Sequence, residues 1–311
     1  MATNGMTING LNPLSALTAD DKIPVWDTGA SGEPTKEITA QNMANSVKSL
    51  ASLPNTAEMN NAIAQSTAFV PSNGNAGFHN SIYRGKSIGT SVTSAQWAAI
   101  SAGTFDDLFI GDYWVINSVT WRIAAFDYWY NHGDTDCTTH HVVIVPDSNL
   151  VSCKMNDTNI TTGAYIGSDY YTGANGNTGK ATAQNAINGA FGSGHILNHR
   201  EHLQNATTNG YESAGTWYDS TFELMTERMV YGCDIFHNVQ HGTNIPNFYS
   251  IDTSQLPLFR HDHDRICNRA DWWLRDVASA TYFARVGSDG NAAYGTASYS
   301  YGVRPAFGIR A

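Results

Sequence analysis

The sequence predicts an α+β fold, in which short strands and flanking helices form the main domain and a small amino-terminal module of strands and one helix precedes it. Three observations predict this fold. Only 14% of the 311 residues are charged and 28 are Gly, a composition typical of short strands joined by many turns. Runs of β-branched and aromatic residues, bounded by turn residues, recur along the chain. Capped segments with helical spacing lie between these runs, which favours helices packed beside sheets.

The first predicted element is a pair of strands. KIPVWDT, from Lys22 to Thr28, and TKEIT, from Thr35 to Thr39, have strand composition, and the Gly-containing stretch between them is typical of a turn. Asn55 and Glu58 then have the spacing of a capping box, which predicts a short helix. Such a short helix is marginal alone, so we expect it to pack against copies of itself or another protein.

A cluster of Pro, Gly and Asn at residues 71–80 has no periodicity and divides the chain. We therefore predict an amino-terminal module at residues 1–70, a linker at residues 71–80 and one larger domain at residues 81–311.

The larger domain is predicted to begin with a helix and three strands. Ser94 caps a helix that ends at Gly103. Residues 110–130 then predict two strands joined by a turn near Asn117, and HHVVIVPD, residues 140–147, predicts a third strand.

The middle of this domain has helical patterns. They are AQNAINGAF, NHREHLQNA and STFELMTERMVYG, at residues 183–191, 198–206 and 220–232. Ser220 is predicted to cap the last helix, and Gly232 lies just past its end.

Charge and cysteine content exclude several classes of function. The chain has 27 acidic and 17 basic residues, and its net charge of -10 disfavours binding to nucleic acid. No basic leader precedes an apolar stretch, and no apolar run is long enough to span a bilayer, so we expect neither secretion nor membrane insertion. The 4 cysteines form no CxxC pair, which favours free thiols over a zinc or redox motif. No cofactor is predicted.

The segment from Trp272 to Pro305 contains two kinds of residue. Large apolar or cationic residues are predicted to form a structural frame, which comprises Trp272, Trp273, Leu274, Arg275, Phe283, Val286, Gly302, Val303, Arg304 and Pro305. The residues between them are mainly Tyr, Ser, Gly, Asn and Ala, a mixture typical of adaptable binding surfaces, although an ordinary polar hairpin would have it too. The predicted ligand-binding residues are Tyr282, Arg285, Ser288, Asp289, Asn291, Tyr294, Thr296, Tyr299 and Tyr301.

A resemblance to a known family favours the binding surface. The pattern WWLRDV…YFARV…GNA…YGVRPAF, with GDYWVINSVTWRIAAFD and HHVVIVPD upstream, resembles the variable proteins of diversity-generating retroelements in the C-type-lectin-fold group, which are found in phage tail fibres and prophages. The resemblance covers roughly residues 81–311 and implies a C-type-lectin-like ligand-binding domain. In that family a reverse transcriptase copies a template with errors at adenines, which here implies a variable region at about residues 270–311. An AAC codon changed at its adenines cannot encode Lys, Glu, Gln, Met or Trp, and none of these occurs from Asp276 to Tyr301.

The amino terminus supports the same interpretation. LTADDKIPVWDTGASGEPTKEIT, residues 17–39, resembles the short amino-terminal modules of phage tail and baseplate-associated proteins. Together the resemblances imply a non-enzymatic receptor-binding protein of a phage or prophage tail, assembled in the host cytoplasm and located in the tail fibre or baseplate of the virion. The expected partners are a host-surface protein or glycan, other phage tail proteins and further copies of the chain in a homotrimer. A bacterial surface adhesin with the same domain is an alternative.

Two clusters contain residue types that bind metals. The first comprises His132, Asp134, Asp136, Cys137, His140 and His141, and the second is HDHD, His261–Asp264. Neither has the spacing of a known metal motif, so packing or salt-bridged turns are preferred and metal binding is left open. The Glu-Pro-Asn or Gln-Pro-Asp motif of calcium-dependent lectins is also missing from the sequence, which disfavours calcium-mediated sugar binding.

An alternative from another class is a tail-associated polysaccharide hydrolase. Such enzymes use paired carboxylates, and Glu223 and Glu227 are spaced one turn apart on a predicted helix. This spacing usually marks a solvated helix face, so we expect no catalytic role for the pair.

Overall fold

The computed structural model describes residues 22–25, 36–39, 75–240 and 254–311. The chain divides into two compact units, Met1–Met59 and Asn60–Ala311. In the first unit, strands β1 (Lys22–Val25) and β2 (Lys36–Thr39) pair antiparallel, so both predicted strands are present. The helix predicted at Asn55 and Glu58 lies outside the described residues, as do residues 71–74 of the predicted linker.

The second unit is mixed α+β, with mostly sheets and few helices. Its described strands are β3 (Tyr113–Ile116), β4 (Val119–Phe126), β5 (Val142–Pro146), β6 (Val151–Cys153), β7 (His199–Thr208), β8 (Tyr211–Ser220), β9 (Glu223–Leu224), β10 (Trp272–Val277), β11 (Tyr282–Val286), β12 (Ala292–Thr296), β13 (Tyr301–Val303) and β14 (Pro305–Ile309). Its described helices are α1 (Ala76–His79), α2 (Ser94–Ala102), α3 (Asp169–Thr172), α4 (Gly179–Phe191), α5 (Glu227–Tyr231) and α6 (Pro257–His261). Within the described residues, no helix is both long and apolar enough to cross a membrane.

Two five-stranded sheets form the scaffold of this unit. The first has the strand order β3-β4-β5-β14-β9, and the second has the order β12-β11-β10-β13-β6. Strands β13 and β14 are consecutive in the chain but belong to different sheets, and only Arg304 separates them. The carboxy-terminal strands therefore lie inside both sheets and connect them. Strands β7 and β8 form a separate two-stranded hairpin.

The first sheet follows the sequence prediction closely. Strands β3 and β4 pair antiparallel across a turn in which Asn117 and Ser118 have φ angles of 52° and 63°, the left-handed conformation that a tight hairpin needs. Strand β5 is buried along its whole length, as expected for the apolar run HHVVIVPD.

The helices near the start of the unit differ from the prediction in detail. Helix α2 is capped by Thr93, not Ser94, because Thr93 forms a reciprocal capping box with Gln96. Its end at Gly103 agrees with the prediction. Part of the predicted linker forms α1, and His79 in that helix is buried with Nδ1 2.6 Å from the carbonyl oxygen of Leu108.

Two helix predictions in the middle of the domain are wrong. NHREHLQNA lies almost entirely in strand β7, which pairs with β8 across the Asn209-Gly210 turn, and this hairpin pairing overrides the helical pattern. In STFELMTERMVYG, Ser220 ends strand β8, and Glu223 and Leu224 form strand β9 instead of the start of a helix. Thr226, not Ser220, caps the short helix α5, although the predicted end at Gly232 is confirmed.

Tryptophan side chains dominate the core of the second unit. Trp114, Trp121, Trp129, Trp272 and Trp273 are each at most 2% exposed. A buried aromatic of this size removes a large apolar area from water. Two of these five belong to β10, so the core extends directly beneath the strands that carry the predicted ligand-binding residues.

Candidate ligand-binding surface

The two classes of residue predicted in the carboxy-terminal segment differ in burial. The predicted frame residues are all buried, namely Trp272, Trp273, Leu274, Arg275, Phe283, Val286, Gly302, Val303, Arg304 and Pro305. The exposed members of the predicted ligand-binding set are Ser288, Asp289, Asn291, Tyr294 and Tyr299, and the half-buried members are Tyr282, Arg285, Thr296 and Tyr301. The second sheet therefore presents polar and tyrosine side chains over a buried apolar interior.

Arg304 anchors the frame where the chain passes from the second sheet to the first. Its Nε donates to the carbonyl oxygen of Pro146 at 2.8 Å, and its Nη1 donates to that of Ile266 at 3.3 Å. The guanidinium also lies 5.0 Å from the centre of the Trp272 ring. Burial lowers the pKa of Arg304 to about 10, so the guanidinium remains charged at neutral pH. Its contacts with the protein take the place of hydrogen bonds to water.

Arg275 connects β10 to the β7–β8 hairpin through a buried ion pair. Its Nη1 donates to Oε2 of Glu201, and Oε1 of the same carboxylate lies 2.9 Å from Nε2 of His199. Burial by itself would raise the pKa of Glu201, but the charge of Arg275 and the contact with His199 outweigh it and lower the pKa to about 2. The carboxylate therefore stays ionised and holds β10 in place.

Residues outside the turn between β11 and β12 hold the backbone of that turn in place. Oδ1 of Asp271 accepts the N–H of Ser288 at 2.9 Å and Nη1 of Arg285 at 2.5 Å. The hydroxyl of Tyr231 donates to the carbonyl oxygen of Gly290 at 3.0 Å. These contacts fix the hairpin tip, while the polar side chains on it remain exposed.

Three of the predicted binding residues share one face of the second sheet. Tyr282 is opposite Thr296, and Ala284 is opposite Tyr294, so Tyr282, Tyr294 and Thr296 point to the same side. The rings of Tyr282 and Tyr294 have centroids 5.0 Å apart. We call these three residues the Tyr294 patch.

Three others form a second group, the Tyr301 patch, which comprises Arg285, Tyr299 and Tyr301. Ala284, which pairs with Tyr294, precedes Arg285 in β11, so Arg285 and its partner Trp273 face the opposite side of the sheet from Tyr294. On that side the Arg285 guanidinium lies 4.8 Å from the Tyr301 ring. The Tyr301 ring is 4.7 Å from the Trp273 ring between centroids. It also packs closely against β12, since a Cβ added at Gly295 would lie 2.4 Å from the Tyr301 ring. Tyr299 is 60% exposed and lies 6.4 Å from Tyr301 between ring centroids. The predicted residues are thus distributed over two faces and the hairpin tip.

The loop after β12 is anchored by its backbone. The carbonyl oxygen of Ala297 accepts the N–H groups of Met155 and Asn156 at 3.0 and 2.9 Å. Lys154 and Asp157, which flank those residues, line a polar cavity of about 280 Å³ beside strand β6. The scaffold around the predicted binding residues is therefore held from several sides.

Sequence reasoning missed a segment that packs against the Tyr294 patch. In residues 234–240, the Phe236 ring lies 5.1 Å from the Tyr294 ring between centroids, and the neighbouring Ile235 is 46% exposed. The contact joins positions far apart in the chain, and CDIFHN has neither a periodic pattern nor a turn signal. No local feature of the sequence marks it.

A cluster of carboxylates surrounds His237 in this segment. Its Nε2 lies 2.6 Å from Glu212, and its Nδ1 lies 3.5 Å from Asp234 and 4.0 Å from Asp276. Burial would lower the pKa of His237, but these three carboxylates raise it well above the usual value. Burial raises the pKa of Asp276 to about 7; the positive charge of His237 opposes this rise, while Glu212 and Glu227 add to it.

Glu223 and Glu227 do not share an exposed helix face, so that prediction is wrong. Glu223 lies in β9 and is 3% exposed, and its carboxylate accepts hydrogen bonds from the Tyr165 hydroxyl at 2.7 Å and Lys180 Nζ at 3.0 Å. Glu227 begins α5 and is fully buried, and its Oε2 accepts backbone N–H groups of the 234–240 segment. Partners distant in sequence bury both residues, which helical spacing could not reveal.

Residues of the two clusters with metal-ligating side chains form ion pairs and hydrogen bonds with other parts of the domain. Asp134 pairs with Arg200 at 2.8 Å, and Asp262 accepts from the Tyr83 hydroxyl at 2.6 Å. His140 Nδ1 lies 2.7 Å from Asp127. Across residues 75–240 and 254–311, no group of three or more His, Cys, Asp or Glu side chains is arranged to hold a metal ion. The four cysteines are free thiols.

One family model matches part of the chain. Residues 196–311 match DUF6273, a domain of unknown function. The matched part begins just before β7 and contains both patches, the hairpin tip and the 234–240 segment. No curated protein matches the chain. No solved structure matches it either.

Proposed function

We propose that the protein is a receptor-binding protein of a phage or prophage tail, and that its carboxy-terminal sheet binds a molecule on the host surface. The observation that carries this proposal is the separation of the segment from Trp272 to Pro305 into a buried frame and a solvent-facing set. Antibody loops use the same arrangement, in which surface residues vary on a fixed scaffold. Tyrosines supply much of this surface, and they give large contact area with few rotatable bonds.

The domain is proposed to be C-type-lectin-like, with the region at about residues 270–311 diversified by a retroelement. The mixed α+β architecture and the carboxy-terminal strands inside both sheets support this proposal. Diversification needs positions where a new side chain leaves the core intact. Tyr294 is 49% exposed and Tyr299 is 60% exposed, so both positions meet that requirement.

The amino-terminal module is proposed to attach the domain to the phage tail and to form a homotrimer. Three copies would raise binding strength by avidity, without new contacts at each site. Mass spectrometry of purified phage particles tests the location. Detection of the chain in the virion supports the proposal, whereas detection on the bacterial envelope alone would favour a surface adhesin.

Binding of the purified chain to host cells tests the function. The double variant Tyr294→Ala/Tyr299→Ala removes one exposed tyrosine from each patch, and Tyr211→Ala removes a tyrosine on β8 that is 45% exposed. Flow cytometry of labelled protein should show at least a tenfold loss for the double variant and little change for Tyr211→Ala. Equal binding by wild type, Tyr294→Ala/Tyr299→Ala and Tyr211→Ala would contradict the proposed site.

A further inference from the structure

We propose that the 234–240 segment is a fixed part of the binding surface, and that His237 is the positioning residue that holds it beside the variable Tyr294 patch. The ligand of this part of the surface is inferred to be a host-surface protein that inserts an apolar side chain. This inference rests on the proposed function, because it names a second contributor to the same surface.

The segment adds apolar side chains beside the Tyr294 patch. The ring of Phe236 packs on Tyr294 at 5.1 Å, and Tyr294 packs on Tyr282 at 5.0 Å between centroids. Ile235 and Tyr294 are among the most exposed large apolar side chains of the described residues, at 46% and 49%. Residues inside and outside the variable region therefore meet at one surface.

The shape and chemistry of this surface favour a protein over a glycan. The Phe236 and Tyr294 rings meet at an interplanar angle of 77°, and the Tyr282 and Tyr294 rings meet at 43°. These rings therefore do not form the flat platform on which a sugar stacks, and a sugar also needs polar partners around its hydroxyls. The aliphatic side chain of Ile235 supplies no such partner. Aromatic and apolar anchors of this kind are typical of protein interfaces.

The backbone of the segment is held rigidly. Oε2 of the buried Glu227 accepts the consecutive N–H groups of Ile235, Phe236 and His237 at 2.8, 2.8 and 2.9 Å. Asn238 then donates its N–H to the carbonyl oxygen of Val277 at 2.9 Å. The segment is thus attached both to α5 and to the end of β10, from which the variable hairpin begins.

His237 provides the charge that this arrangement requires. The groups that face its ring are Glu212 from β8, Asp276 from β10 and Asp234 from its own segment. The carboxylate of Glu227 accepts the N–H of His237, and Arg228 pairs with Asp234 at 2.6 Å on the outer side. If His237 lost its proton, the carboxylates of β8, β10 and the segment would repel one another. The segment would then loosen, and Phe236 would leave Tyr294.

Binding to intact bacterial cells tests the fixed part of the surface, using the full chain. Phe236→Ala and Ile235→Ser should each weaken binding at least tenfold. Val115→Ser is the matched control, because Val115 is an exposed aliphatic residue, 38% accessible, on β3 of the other sheet. Protease treatment of the cells should abolish binding, and periodate treatment should leave it unchanged.

The outcomes separate this inference from the function on which it rests. If Tyr294→Ala loses binding while Phe236→Ala and Ile235→Ser bind like wild type, the fixed surface is refuted and the proposed function stands. If Tyr294→Ala/Tyr299→Ala binds like wild type, the proposed function itself fails. Loss of binding after periodate but not after protease would overturn the assignment of a protein ligand.

Hydrogen exchange tests the positioning role of His237 without any ligand. After correction for intrinsic rates, the amides of Ile235, Phe236 and His237 should exchange at least tenfold faster in His237→Gln than in wild type at pH 6.5. His237→Lys, which keeps a positive charge, should retain the wild-type protection of these amides. Amides of β5 provide the internal control for global unfolding. Equal protection in wild type and His237→Gln, with β5 protected in both, would overturn the positioning role, and so would loss of protection in a His237→Lys variant whose β5 amides remain protected.

Discussion

Replacing Trp273 with Ala tests whether the frame is a core that supports the surface above it. The side chain is 0% exposed, and its Nε1 donates to the carbonyl oxygen of Cys153 at 2.8 Å. Its ring also lies 4.7 Å from Tyr301 and 6.4 Å from Phe283. Truncation of a buried tryptophan costs about 3–5 kcal/mol, and the lost hydrogen bond adds about 1 kcal/mol. We expect the free energy of unfolding to fall by roughly 4–6 kcal/mol in Trp273→Ala.

Urea and thermal unfolding followed by far-ultraviolet circular dichroism measure this change. For a unit of this size the expected loss corresponds to a fall in Tm of roughly 8–24 °C. Tyr299→Ala is the control from the same sheet, and it should stay within about 0.5 kcal/mol of wild type because Tyr299 is 60% exposed. A loss below about 1 kcal/mol for Trp273→Ala would show that the buried frame does not stabilise the fold.

Four further predictions concern the second unit. Tyr294→Ala/Tyr299→Ala should change the free energy of unfolding by less than about 1 kcal/mol in urea, and a larger loss would place these rings in the core. Tyr301→Ala should cost about 1–3 kcal/mol in the same assay, because its half-buried ring packs on the tryptophan beneath it, and an unchanged midpoint would contradict that packing. Glu201→Gln should destabilise the fold by about 3–5 kcal/mol at neutral pH, because it leaves Arg275 buried without its carboxylate. The pKa of Glu201 is about 2 in the folded protein and 4.5 ordinarily, so wild type has the full stabilisation from this carboxylate above pH 4.5. As the pH falls to 2, the free energy of unfolding should drop by about 3 kcal/mol. A urea midpoint that does not change over this range would contradict the pairing.

Local signals in the sequence were sufficient where the structure is also local. The β3–β4 hairpin was predictable because Asn and Ser are common turn residues and Asn117 readily adopts the left-handed conformation found there. The helix predicted for NHREHLQNA failed because its pairing with β8 depends on the Asn209-Gly210 turn downstream of the window. That dipeptide is a strong hairpin signal, so a longer sequence window that included it would have predicted the strand.

The candidate surface shows the same limit. The contrast between large apolar or cationic residues and the Tyr, Ser, Gly, Asn and Ala between them was enough to separate the frame from the surface set. It could not assign Arg285 and Tyr294 to opposite faces, because the register of β10, β11 and β12 sets those directions. The contact between Phe236 and Tyr294 and the burial of Glu227 depend on tertiary packing alone.

Sequencing codons 270–311 across a population that carries the gene, together with the DNA just downstream, tests whether the binding surface is diversified. We expect substitutions at adenines of the codons for the surface set, an unchanged buried frame, and a near-identical template beside a reverse transcriptase gene. A uniform sequence with no template would contradict the claim of a diversified binding surface. Substitutions distributed equally over frame and surface codons would contradict it as well.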